Sequence, residues 1–126
     1  MSYVTNTAIG AEHQDWLKRL EFYRDEIEIL RKRLAEVNDK NTSLDARAGV
    51  EHFQNQFIVQ RNNIDELRHA INEHAHRAFE DARAHAGHIE DTLVTEHEKI
   101  GMDVKLFESV INDLRQEFNV FLTRWM

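Results

Sequence analysis

The sequence predicts an all-α protein: an up-down-up antiparallel bundle of three long helices with coiled-coil-like heptad seams. Two observations carry that expectation. The 126 residues include no proline and only four glycines, and proline is the commonest helix breaker because it lacks the N–H and clashes with the preceding turn. Apolar residues also recur at alternating spacings of four and three through most of the chain, the rhythm of a helix flanked lengthwise by other helices. The length suits one domain with a real core and is short for two, so residues 1–126 are read as a single helical-bundle domain.

The first helix is expected over about 7–37. Ile9, His13, Trp16, Leu20, Tyr23, Ile27, Leu30, Leu34 and Val37 form an unbroken seam in which only His13 is polar. Asn6 or Thr7 suits its N-cap. Glu28 with Lys32, and Glu36 with Lys40, stand at the i,i+4 spacing that supports a helix by a few tenths of a kcal/mol. The run Asn38, Asp39, Asn41, Thr42 and Ser43 favours a turn.

A second helix is expected over about 46–86, with Thr42 and Asp45 as a capping box. Gly49 argues for a regular start nearer Val50. Val50, Phe53, Phe57, Gln60, Ile64, Leu67, Ile71, His74 and Ala78 make its seam, and beyond Ile71 alanines replace the larger residues. Ala86-Gly87-His88 is the expected reversal, since glycine accepts the left-handed conformation that ends a helix. The rhythm also runs on through Ala82, Ala86, Ile89, Leu93, His97 and Ile100, so a continuous helix across 86–90 is the alternative, and it would force dimerisation. The third helix, about 91–125, follows with Asp91 or Thr92 as cap and Val104, Phe107, Ile111, Leu114, Phe118, Phe121 and Trp125 on its seam. Phe22 and Ile29 lie well round from the first seam and predict a second contact surface, most simply that of a homodimer.

Composition narrows the function classes. A formal charge of −7 argues against nucleic-acid partners, whose phosphates call for a clustered basic face. Without cysteine the chain has no disulfide, thiolate zinc site or thiol nucleophile. No window is apolar enough to span a bilayer, and residues 1–16 lack the basic flank and apolar region of a signal peptide, so a cytoplasmic protein without membrane partners is the default expectation. No phosphate-binding glycine loop, nucleophile elbow or His-Glu-x-x-His is present, so the chain is read as a non-enzyme.

Histidine is the chemical peculiarity. Six of the eight histidines lie between His69 and His97, among several carboxylates. Heptad position sorts them. His13, His74 and His97 fall on seams and should point inward, one from each helix. Antiparallel pairing about turns near residues 41 and 87 puts His13 and His74 within about a turn of each other, with His97 about one turn further along. Two explanations compete for the trio: a hydrogen-bonded polar layer that fixes register, or a metal site of imidazole ligands taking iron or zinc. A di-iron carboxylate site fits poorly. Its Glu-x-x-His elements, Glu66–His69 and Glu73–His76, share one helix and lie about 200° from the seam, on an outer stripe of Glu66, His69, Glu73, His76 and Glu80. His85 and His88 sit at the reversal.

Three functional readings follow. The first is a non-catalytic, self-associating bundle serving as an interaction or scaffolding module, with a further protein partner of unspecified identity. The second is a metal- or cofactor-binding bundle using His13, His74 and His97. The third is a pH-responsive assembly through the His/Glu stripe, because protonating all eight histidines would take the formal charge from −7 to +1.

Overall fold

A computed structural model describes residues 4–126, with side chains from Thr7 onward. It is all-helical apart from a two-residue strand pair: β1 (Val4–Thr5), α1 (Asn6–Lys40), α2 (Leu44–Ala84), β2 (His88–Ile89) and α3 (Asp91–Trp125). The three helices pack against one another, and among the described residues none is long and apolar enough to cross a membrane.

Burial follows the periodicity. Every seam position expected on α1 is buried, from Ile9 to Val37. On α2 and α3 the fully enclosed side chains include Phe57, Ile64, Ile71, Ile111 and Phe118. Packing levels are set by contacts such as His13 with His74 and His97, Tyr23 with Glu108, Arg115 with Glu26, and Phe53 with Phe118. Asn41 completes the far end, its amide donating to the carbonyls of both Val37 and Trp125 at 2.9 Å.

The helix ends differ in detail from expectation. α1 already includes Thr7, so Thr7 does not cap it, and the side chain of Asn6 lies outside the described residues. Ser43, not Thr42, caps α2: its Oγ accepts from Ala46 N at 3.2 Å. Regular helix therefore starts at Leu44, and Gly49 is simply part of it. Tertiary packing explains that glycine, because the Phe121 ring occupies the place a Cβ would take. Glu90 precedes α3 without any side-chain cap bond, in place of Asp91 or Thr92. Glu28 turns away from Lys32 to Arg31 (3.1 Å) and Arg61 of α2 (3.6 Å), since the longer, forked guanidinium reaches across the groove.

The reversal falls where the glycine placed it, and the chain does not continue as one helix. Gly87 N–H donates to the Ala82 carbonyl at 2.8 Å, closing a Schellman-type turn. Its left-handed residue is Ala86 (φ 54°), followed by Gly87 (φ 89°). His88 and Ile89 then run extended, paired antiparallel with Thr5 and Val4. Asp81 braces this corner, its Oδ2 accepting from Glu90 N–H at 2.8 Å. The strand pair had no signal in the periodicity, because two residues are too few to show alternation.

Candidate metal centre

Two apolar clusters make up the interior. The larger runs from Trp16 down to the Val37 end; the smaller comprises Ile9, Ala78, Ala82, Ile89 and Leu93 near the strand pair. His13, His74 and His97 lie between them, each at most 6% exposed. One histidine comes from each helix, as expected from the sequence.

All three occupy one layer. His13 Nε2 lies 3.0 Å from His74 Nδ1 and 3.3 Å from His97 Nδ1. The expected one-turn offset of His97 is absent, and the connection explains why. A point-like turn would give that offset, but β2 covers about 6–7 Å in two extended residues, the rise of about four helical ones. α3 therefore starts lower than α2 ends, and His97 comes level with His74.

Partners fix the tautomers of the neutral layer. The Leu93 carbonyl, 2.8 Å from His74 Nε2, can only accept, so that nitrogen carries the proton and His74 Nδ1 is bare. His13 Nε2 must then donate to His74 Nδ1. Already protonated in the ring plane, it cannot also accept, so His97 Nδ1 is bare and His97 carries its proton on Nε2. Two lone pairs thus converge on one N–H. Burial, with the neighbouring His97 and His74 adding to it, pushes the His13 pKa down to about 4. Burial also lowers that of His97, against the opposing pull of Glu12.

The surroundings of the layer were less visible in the sequence. Trp16 lies against the His97 ring, centroids 4.5 Å apart and planes at 32°. Gly101 makes room for it, since a Cβ there would stand 3.0 Å from Trp16 Cζ2. Glu12 Oε1 is 3.3 Å from His97 Nε2 but off the N–H direction, which leaves that buried nitrogen without an aligned hydrogen bond. Position next to His13 was the only sequence signal for Glu12, and a backbone acceptor such as Leu93 had none. Gln60, the other polar side chain of the expected α2 seam, is buried and accepts from Asn63.

The other histidines stay apart from this layer. His69 and His76 are exposed on the outer stripe, His69 Nε2 lying 3.4 Å from Glu73. His85 and Glu90, both exposed, group with the half-buried Asp81 at the reversal, the His85 Nδ1 lying 2.8 Å from the Asp81 carbonyl. The Asp81 carboxylate there already serves the backbone of the turn.

The inward trio could hold a transition-metal ion. Tetrahedral zinc with bonds of about 2.05 Å places its nitrogen ligands about 3.3–3.4 Å apart. The two donor separations on His13 are 3.0 and 3.3 Å, and the three donor atoms all lie within 4.8 Å of one another. Moving the His13 proton to Nδ1 turns all three lone pairs inward without changing the charge. Each of the other two ligands already has an acceptor beside its remaining N–H, the outer arrangement metal-binding histidines commonly have. No protein-family model, curated protein or solved structure matches this chain. The chemistry of the layer itself is therefore the guide to function.

Proposed function

We propose that the protein is a metal-binding helical bundle that holds one transition-metal ion between His13, His74 and His97. One observation carries the reading: three buried imidazole nitrogens, one from each helix, converge at ligand-to-ligand distances. Imidazole ligands suit zinc, iron, copper and nickel, and with no carboxylate oxygen in the layer among the described residues, magnesium and calcium are disfavoured. Because every ligand comes from a different helix, ion binding is coupled to tertiary packing and stabilises the folded chain. An up-down-up order with heptad seams belongs to this reading and is supported by the level pairings of residues 13, 74 and 97.

Elemental analysis of untagged protein tests the proposal, with about one equivalent of metal expected after loading and a higher unfolding temperature. Less than about a tenth of an equivalent, with no thermal shift on adding zinc, iron or copper, would end it.

Self-association is a compatible second reading, supported by the exposed Phe22 and Ile29 on α1 and Leu106 and Val110 on α3. Light scattering decides it: a species of 14.9 kDa at micromolar concentration would rule it out.

A further inference from the structure

The three imidazoles of the layer are neutral ligands. A divalent ion among them places two positive charges in an apolar interior, which is costly without a compensating anion. Among the described residues no carboxylate belongs to the layer itself. One stands at its edge: Glu12 Oε1, 3.3 Å from His97 Nε2 and across the ring from the inward Nδ1.

His97 is held in two ways. Trp16, seated over Gly101, fixes the plane of the ring. His13 Nε2 holds its Nδ1 at 3.3 Å, while the Nε2–H has no aligned acceptor and beside it stands Glu12, whose side chain is 59% exposed against 7% for His97. A groove of about 540 Å³ between α1 and α3 borders both residues, so the carboxylate has room to close the misalignment. Coordination at Nδ1 withdraws electron density from the ring and makes the opposite N–H a stronger donor. A carboxylate beside it then forms a charge-assisted bond, shorter and stronger than a neutral one.

We infer that Glu12 is the outer-sphere carboxylate of the site, aligning on His97 Nε2–H when a dication binds and supplying the negative charge that the three imidazoles lack. It is a positioning residue, not a ligand. The inference rests on the metal reading above, and it makes the preferred cargo a dication. Asp15 and Glu98 border the same groove. Glu98 raises the His97 pKa through its charge, and Glu12 in addition places a carboxylate oxygen 3.3 Å from Nε2.

The test is zinc affinity of the full-length, untagged chain, measured by competition with a chromophoric chelator, for wild type, Glu12→Gln and Glu98→Gln. Loss of an outer-sphere partner typically weakens metal binding 10–100-fold. That loss is expected in Glu12→Gln, with Glu98→Gln within about threefold of wild type. In ¹H–¹⁵N spectra of the zinc-loaded proteins, the His97 Nε2–H proton should resonate downfield in wild type, as a charge-assisted bond requires, and lose that shift in Glu12→Gln, a signature that a purely structural role would leave unchanged. Equal affinity of wild type and Glu12→Gln overturns the role of Glu12 and leaves the metal site standing. Equal losses in both variants overturn it in favour of diffuse charge. A wild-type chain that binds no zinc ends both readings.

Discussion

Acidifying the metal-free protein should destabilise it well before its carboxylates are protonated. Unfolded, His13 takes up a proton near pH 6.5; in the native layer it does so only near pH 4. Between those values the unfolded chain binds more protons than the native one, so stability falls as pH falls. This contribution is complete above pH 6.5 and is lost progressively down to about pH 4. A displacement of about 2.5 pH units at 1.36 kcal/mol each amounts to about 3 kcal/mol from this single ring. The slope from His13 alone is about 1.4 kcal/mol per pH unit, and the lowered pKa of His97 steepens it. Urea unfolding with a chelator present, followed by the fluorescence of Trp16 beside His97, measures this directly. So does titration of the His13 ring resonances. Stability that stays level between pH 6.5 and 5, or a native His13 that titrates at its ordinary value, would refute the buried, converging layer.

Two further outcomes concern the scaffold. Ala86→Gly should stabilise the protein by about 0.5–1 kcal/mol, because Ala86 sits at φ 54°, where a Cβ is strained and glycine is not; an unchanged urea midpoint would show that the corner differs. Ile111→Val should cost about 1 kcal/mol, since Ile111 is fully enclosed and its lost methylene leaves a small void; a midpoint equal to wild type would mean the larger cluster is loosely packed.

Much of this architecture is readable from residue order, for a definable reason. Ile9 to Val37 repeats without interruption, and a period sustained over four heptads has no competing explanation. The same phase turned His13, His74 and His97 inward and left the His69–Glu73 stripe outside. Ala86-Gly87 located the reversal because left-handed backbone is rare outside glycine. Features that depend on three-dimensional reach were not readable. The height of His97 depends on two extended residues whose pairing partners are eighty-odd positions away. Glu12 resembles any solvated glutamate until α3 brings a ring nitrogen within 3.3 Å. Gly49 and Gly101 look like helix weaknesses until Phe121 and Trp16 are seen lying over them.

The carbonyl of Leu93 has a consequence beyond its one hydrogen bond. Because a peptide oxygen never donates, it acts as a fixed boundary condition for the whole cross-section, and the two remaining rings must orient their dipoles to suit. Three chemically identical side chains therefore become three distinct ones: one giver and two receivers, ordered from the α3 backbone inward. A substitution at His74 breaks the chain of instruction at its source, whereas one at His97 removes only an end. The three positions are not interchangeable, although the sequence spells them alike.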